Sequence, residues 1–391
     1  MRKMVAISDA LDELKDSNWD VAILGAGVAG CAAAILASER GLKTLLVESK
    51  PFPREKVCGG CLNVRAQESL KRLSVMQQIE SSGAVPISAM RLQIMRTQVE
   101  WQVPSMMSIR RSTLDSILVK RAIACGSDFI DGTQASLLRN AIDLQSGCRT
   151  VRLQSNGKFT EIKSKVVLVA SGLTRSSIRQ DEAWPANVET NSRIGVQCLI
   201  PEDVAPCFAD GRLHMLVGEQ GYVGICKTDG GFLDVAAAID PSSIQSAHGI
   251  EQVVQRILLT CGFGEIAFPQ KIQWLATPSL TRRSLRVAGY RAFLLGDAIG
   301  YVEPFTGEGM SWALASAESV MPIIAEIAND GWRDQMSERW NDWALRQRRQ
   351  HHRTCRWIAG QIRSPRRAAW VLQVCNWIPP LRAALIRKAS Q

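Results

Sequence analysis

The residue types and spacing best suited to chemistry in this chain lie at Gly25-Ala26-Gly27-Val28-Ala29-Gly30 and at Glu48. Gly25 permits a tight turn, Gly27 lets a pyrophosphate reach the backbone at a helix N-terminus, and Gly30 lets the helix pack closely on its strand. Glu48 stands about twenty residues further on, where an acid accepts hydrogen bonds from a ribose. A glycine-rich turn without a ligand fits poorly, because each glycine at a helix start costs stability. A second constellation, Leu294-Leu295-Gly296-Asp297-Ala298, runs on to Pro304-Phe305-Thr306-Gly307-Glu308-Gly309. It reads as an acid at the carboxyl end of a strand, a loop stiffened by proline, and glycines that bare backbone N–H groups where a helix begins. Such an end favours negative charge.

The elements that must position these groups follow from the hydrophobic pattern. An apolar run over 21–24, a small-residue helix to Arg40, a turn at Gly41 and a second apolar run ending at Glu48 predict a β-α-β unit. Residues 1–18 form a polar leader, with a short helix over 9–14 or none. Prolines and glycines make 49–61 a loop, and a helical stretch to Ser81 follows. Alternation over 87–96 and 99–103 predicts strands that leave the nucleotide domain for a second sheet. The chain returns with a helix that starts within 108–115 and continues to Ala124, a third parallel strand over 128–138, a hairpin at Asn156-Gly157 and a buried strand over 165–170. Runs at 193–200, 213–217, 221–227 and 232–239 predict a further antiparallel sheet, and 251–260 a helix. A strand at 291–295 leads into Gly296-Asp297, and an amphipathic helix reaches Ala328. The expected fold is α/β, with a Rossmann-type domain assembled from 18–86, 105–185 and 287–330. An antiparallel-sheet substrate domain (87–104 and 186–286) is inserted into it, and a helical tail covers 331–391.

Composition supports two interpenetrating domains, since the chain has 391 residues and 46% of them are hydrophobic. The net charge of +10 is a property of the tail, where 331–391 holds 13 Lys and Arg against 3 Asp and Glu. Eleven cysteines behind an N-terminus with no apolar core read as reduced thiols in a cytoplasmic protein. No apolar run reaches the length of a membrane span. Six of the 11 tryptophans (332, 340, 343, 357, 370 and 377) lie in the basic tail. Tryptophan with arginine on a helix suits peripheral contact with a membrane surface; the same helices are equally suited to covering the substrate domain. Nucleic acid is not expected, because no fold-level signal for reading it is present.

Cys58-Gly59-Gly60-Cys61 has no second close Cys or His pair, which argues against zinc. Two readings stay open: a dithiol that exchanges electrons, and a turn in which Cys58 packs near a cofactor. His214 and Tyr222 fall on expected strands and are candidates to face substrate. No metal site is expected.

The β-α-β unit, the segment Pro53-Arg54-Glu55-Lys56-Val57-Cys58-Gly59-Gly60, the helix start at Arg111 and the Gly296-Asp297…Pro304…Gly307-Glu308-Gly309 motif occur in this order. Together they resemble the flavoprotein superfamily of geranylgeranyl reductases and aromatic-ring monooxygenases, over about residues 18 to 330. The resemblance implies FAD, with Glu48 and Ser49 at the adenosine ribose, Arg111 near the pyrophosphate, Asp297 on the ribityl chain and Gly307 to Gly309 near the flavin ring. Arg54, Cys58 and Gly59 would sit in the loop beside the isoalloxazine. It further implies reducing equivalents from a visiting NAD(P)H, and reduction of a double bond in a lipophilic, isoprenoid-like substrate. Hydroxylation of an aromatic or polyketide-like substrate, and flavin binding without turnover at a membrane surface, are the alternatives. The chain departs from the monooxygenase pattern at Ser171, where an acid is usual, with Ser176 and Arg179 one residue late. Of the reductase branch's Tyr-x-Trp-x-Phe-Pro it keeps only Tyr222, and Ala236-Ala237-Ala238 stands where glycines would be.

Overall fold

A computed structural model describes residues 11, 14–15, 17–143, 147–178, 183–303, 305, 307–349 and 360–369. The chain opens with β1 (Asn18–Leu24), the helix Val28–Ser38 and β2 (Thr44–Val47). Every residue of β2 is buried, as are Val21 to Leu24 of β1, so both strands read as unbroken apolar runs, the mark of a sheet covered on both faces. After the loop come β3 (Cys61–Leu62), helices Val64–Arg72 and Met76–Ser81, then β4 (Val85–Ile94) and β5 (Thr97–Ser108). Helix Arg111–Ala124 leads to β6 (Asp128–Ile130), β7 (Gln134–Asp143), β8 (Cys148–Ser155) and β9 (Lys158–Val169). The chain continues with β10 (Ala186–Val188), β11 (Ile194–Pro201), β12 (Arg212–Gly218), β13 (Gly221–Thr228) and β14 (Phe232–Ile239). Helices Pro241–Ala247 and Ile250–Thr260 follow, then β15 (Leu275–Ser279), β16 (Arg282–Ser284), β17 (Ala288–Gly289) and β18 (Ala292–Leu294). Helices Gly309–Asp330 and Gln335–Gln347 come last among the elements with assigned bounds.

The first sheet runs β17-β18-β9-β1-β2-β6, with β18, β9, β1, β2 and β6 all parallel. Leu24 pairs with both Val47 and Val169, and Leu294 with Val169. The carboxyl ends therefore finish level, and the turns after Leu24, Val47, Val169 and Leu294 share one edge, where open α/β sheets bind ligands.

The second sheet runs β15-β11-β14-β13-β12-β4-β5-β3. The two groups of strands expected separately thus form one sheet, joined where β4 lies parallel to β12; its other pairings are antiparallel. Helix Ile250–Thr260 buries Val253, Val254, Ile257 and Leu258 against one face of this sheet. The other face is turned toward the first domain.

Two expected strands are redrawn. The span 128–138 is broken after Ile130: β6 extends the parallel sheet, whereas β7 begins at Gln134 and pairs antiparallel with β8. Gly132, at a φ of 58°, makes the corner. The expected hairpin arm and the strand over 165–170 are instead one strand, β9, which leaves the Asn156-Gly157 turn antiparallel to β8 and continues into the parallel sheet beside β1.

The described part of the tail packs on the body. Trp340 is fully buried, and its indole N–H donates to Leu294 O at 3.1 Å, beneath the strand that leads to Asp297. It stacks on Trp343 at 4.5 Å, and Trp332 meets Tyr290 and Phe293. Ile362 and Ala368 enter the same apolar cluster as Tyr222 and Phe305. Trp357, Trp370 and Trp377, and most of the leader, lie outside the described residues. Among those described, no helix is long and apolar enough to cross a membrane.

Candidate functional site

The level strand ends enclose a cavity of about 390 Å³ that extends from the glycine turn to the second sheet. Gly25, Gly27, Glu48, Ser49, Arg54, Cys58, Gly59, Arg111, Tyr222, Gly296, Asp297, Gly307 and Gly309 all line it. Residues hundreds of positions apart are brought together because the edge is shared.

Local geometry explains the glycines. Gly25 has a φ of 115°, and a Cβ there would meet the Ala170 carbonyl. A Cβ on Gly30 would overlap the Gly25 carbonyl oxygen, so Gly30 serves the close approach of helix and strand and does not line the cavity. The Cβ position of Gly27 is 3.6 Å from Arg111 Nη2, 3.7 Å from Lys56 Nζ and 3.9 Å from Arg54 Nη2. Three cations around a bare helix start make a cradle for a doubly charged anion, and this chain's residues therefore fit the pyrophosphate expected there. Ala26 offers nothing to a ligand through its N–H, which donates to Glu48 Oε2 at 3.0 Å.

Glu48 is held from four sides. Besides Ala26, it accepts from Lys50 N (3.2 Å), the Ser49 hydroxyl (3.0 Å) and Arg54 Nη2 (2.9 Å). Burial alone would raise its pKa, but the guanidinium and the amides win and hold the carboxyl below its ordinary value. Arg54 reaches on to Asp115 Oδ2 at 3.1 Å, and Asp115 is clasped by Arg111 through Nε (3.0 Å) and Nη2 (2.8 Å). Arg54 is thus moved from its expected place beside the flavin ring to the acid at the end of β2. Its length lets it bridge two buried carboxylates.

Asp297 stands in the turn after β18. Lys56 and Arg111 attract its charge, yet burial outweighs them and its pKa is raised. Lys56 is a residue that sequence reading passed over. Its half-buried ammonium lies among the Gly27 turn, Gly172 and Asp297, and desolvation there, next to two arginines, pushes its pKa down. A lone lysine in a proline-rich loop gives no signal of this; only the loop's course over the cavity does.

The second sheet supplies the far wall. Along β12, Leu213 and Met215 face the cavity, and His214 between them faces the opposite way. His214 is fully buried, edge-on to Phe208 at 5.0 Å, with Nε2 2.9 Å from Asp210 Oδ1. The expectation that His214 faces substrate is therefore corrected by the two-residue period of the strand. Tyr222 does reach the cavity and meets Phe305 at 5.1 Å. Glu308 is also displaced from its expected role. It lines a separate cavity of about 260 Å³ behind Tyr301 and Gly309, with Arg72 and Glu318 at its edge.

Cys58 donates its N–H to Gln197 Oε1 (3.2 Å), and Gln197 Nε2 donates to Asp234 Oδ2 (2.9 Å). Ser171, Ser176 and Ser177 also line the cavity; Arg179, Pro304 and Thr306 lie outside the described residues. Among those described, no group of three or more His, Cys, Asp or Glu is placed to hold a metal ion.

Comparison with known proteins matches residues 18–342 to the family described as "FAD binding domain". The chain is 30% identical to the menaquinone reductase of Mycobacterium tuberculosis over 327 residues, which is 79% of this chain and 77% of that protein. It is 21% identical to the digeranylgeranylglycerophospholipid reductase of Thermoplasma acidophilum, over 87% of this chain and 86% of that one. Among solved structures, p-nitrophenol 4-monooxygenase from Pseudomonas putida superposes with a TM-score of 0.75 at 14% identity, covering 96% of this chain and 99% of that one. That likeness is one of fold.

Proposed function

The chain belongs to the FAD-binding-domain family and is an FAD-dependent oxidoreductase, and from that premise we propose that it reduces a carbon–carbon double bond in a lipophilic isoprenoid substrate with electrons from NAD(P)H. The supporting observation is the composition of the wall that the second sheet presents. Gly195, Leu213, Met215, Gly224, Ala236 and Ala238 line the cavity there, and no charged side chain from 194–280 joins them. Such a floor desolvates a hydrocarbon well: an apolar surface removed from water is worth about 25 cal/mol per Å². It offers no carboxylate or imidazole with which to orient a small polar aromatic. The relatives named above act, by their names, on menaquinone and on a digeranylgeranylglycerophospholipid, and both carry isoprenoid chains.

FAD, when bound, supplies the electron-transfer chemistry. This chain would hold its pyrophosphate among Gly27, Lys56, Arg54 and Arg111, its adenosine ribose at Glu48 and its ribityl chain at Asp297. Gly307 and Gly309 line the cavity where helix Gly309–Asp330 begins, and a flavin ring placed there would face Tyr222 and the small residues of β14. Phe305 lines the chamber and shares an apolar cluster with Ile362 and Ala368 of the tail, so the loop and the tail both contribute to the apolar surroundings of a substrate bound there.

The deciding experiment incubates the purified FAD-loaded protein and NADPH with an isoprenoid quinone or an unsaturated isoprenoid lipid, with and without heavy oxygen gas. Gain of two hydrogens, independent of oxygen, is the expected product by mass spectrometry. Incorporation of one heavy oxygen atom would replace the reading with hydroxylation. Flavin that stays oxidised with NADPH and also with NADH would leave a binding protein.

A further inference from the structure

The Cys-Gly-Gly-Cys segment invites pairing of Cys58 with Cys61, but the fold separates their thiols. Cys58 lies beside the Arg111 guanidinium, whose charge works against the upward push of burial on its thiol. Cys61 opens β3, paired with Ser108 of β5, and points across to β13. There its thiol comes beside that of Cys226. Both sulfurs also converge on one carbonyl oxygen, that of Gly59, at 3.1 Å from Cys61 and 4.0 Å from Cys226. Cys226 is further fixed by the Ser108 hydroxyl at 3.5 Å. Other buried thiols are occupied differently: Cys31 donates to Ala26 O and Cys261 to Val217 O. Cys61 and Cys226 are unbridged and buried, and both line the cavity.

The structure assigns Cys61 and Cys226 as a thiol–disulfide couple in the wall of the chamber, oxidised by a small-molecule disulfide and restored by a small thiol. The assignment rests on the geometry of the chain and not on which reaction the flavin serves. The chemistry balances with glutathione disulfide as oxidant. The Cys226 thiolate attacks one sulfur of glutathione disulfide; that S–S bond breaks, and one glutathione leaves as thiolate. The leaving thiolate takes the proton of Cys61, whose sulfur then attacks Cys226 and expels the second glutathione. Two protein thiols are oxidised, and one glutathione disulfide is reduced to two glutathiones. The order of attack follows from the two environments, since the neighbouring Cys61 and the Ser108 hydroxyl hold the Cys226 thiol below its ordinary value, while Cys226 beside it and burial hold Cys61 above.

The couple has a structural consequence. Residues 54–60 carry Arg54, Lys56 and Cys58 over the cofactor cavity, and this arm ends at Cys61. Cys61 already pairs with β5 at the edge of the second sheet, and a bond to Cys226 would add a covalent link from that edge to β13, so that the groups closing over the pyrophosphate no longer swing away together. Oxidation would then lengthen the residence of FAD.

The test uses the full-length FAD-loaded protein, treated with glutathione disulfide, blocked with N-ethylmaleimide, digested and read by mass spectrometry. The expected product is a peptide pair joined through Cys61 and Cys226, also formed in Cys58→Ser and released by dithiothreitol. In Cys226→Ser and in Cys61→Ser the reaction is expected to stop with glutathione on the remaining cysteine. A Cys58–Cys61 link, or glutathione adducts without any link in the unmodified chain, overturns the assignment. FAD release is followed as the rise in flavin fluorescence after dilution. A several-fold slower release in the disulfide form, reversed by dithiothreitol, is expected, and an unchanged rate overturns the pinning of the arm. Neither readout involves turnover, so failure here is distinct from failure of the reductase reading.

Discussion

The two ends of the cavity bury ionisable groups in opposite ways. At the glycine turn, Glu48 and Asp115 are as sealed as core residues, but each meets a guanidinium, and Arg54 joins them into one network with Arg111. At the chamber end, Asp234 is just as sealed and is bonded to the neutral amide of Gln197. The outcomes differ in sign: pairing holds Glu48 below its ordinary pKa, whereas burial, with Cys226, Glu55 and Asp229 nearby, drives Asp234 well above. Equal burial therefore does not decide charge; the partner does. One end keeps its acid ionised, and the other keeps its acid neutral.

The largest effect is expected from breaking the matched end. Arg54→Ala leaves Glu48 and Asp115 each short of a cation. Removing one partner of a buried pair costs about 3–5 kcal/mol. Arg111 and the amides around Glu48 remain, which places the loss near the lower figure. Urea unfolding should show it, and the purified variant should carry little flavin. Full flavin content with unchanged stability would mean that the network is not what holds this end together.

At the apolar end the corresponding change is steric. Ala236 of β14 faces the cavity, and Ala236→Leu adds three carbons to its floor. Flavin content and the visible spectrum should match the unmodified protein, while kcat/KM for an isoprenoid substrate falls at least tenfold, about 1.4 kcal/mol in transition-state terms. Equal loss of flavin in this variant and in Arg54→Ala would erase the distinction between the ends.

Asp234→Asn tests the sign of burial. Because the folded pKa is raised above the unfolded value, the unfolded chain loses its proton first as pH rises, and stability is lost between the unfolded pKa and the higher folded one. The asparagine variant escapes that loss and still accepts from Gln197. It should be more stable than the unmodified chain at pH 8, by on the order of 1 kcal/mol, with the gain shrinking toward pH 4. Thermal melts at the two pH values would show it, and a gain independent of pH would point to packing.

The matched end was largely legible in the sequence, because its function needs glycines at fixed spacing and an acid at a strand end, and both leave marks in the order of residues. The turn at Gly296-Asp297 was legible for the same reason. What was not legible depends on side-chain direction and on contacts across long stretches of chain. The place of Lys56 follows from the path of a loop, and the distance of Arg54 from the expected flavin ring follows from its reach to Glu48. Cys61 meets Cys226, with β12, β4 and β5 lying between their strands in the sheet order, because both sulfurs turn to the Gly59 carbonyl, a convergence that sequence spacing does not register. The break of 128–138 turned on one glycine corner, which periodicity does not register.

His214 gives the smallest effect and the clearest instance of a one-residue difference in outcome. Leu213 and Met215 on either side of it line the cavity, so any sequence argument that placed this strand at the site placed His214 there with even odds. Its ring instead lies against Phe208 in the core between β12 and helix Ile250–Thr260. Burial holds its pKa below the ordinary histidine value despite the bond to Asp210. A folded pKa below the unfolded one means that stability is intact above the unfolded pKa and is lost as pH falls, because the unfolded chain takes up the proton first. His214→Gln removes one hydrogen bond, about 1 kcal/mol, and should leave flavin content and turnover unchanged at pH 7.5. The gap between the two proteins should narrow as pH falls from 7 to 5, since only the histidine form is penalised there. A change in turnover without a change in stability would return His214 to the cavity and sink the reading of this strand.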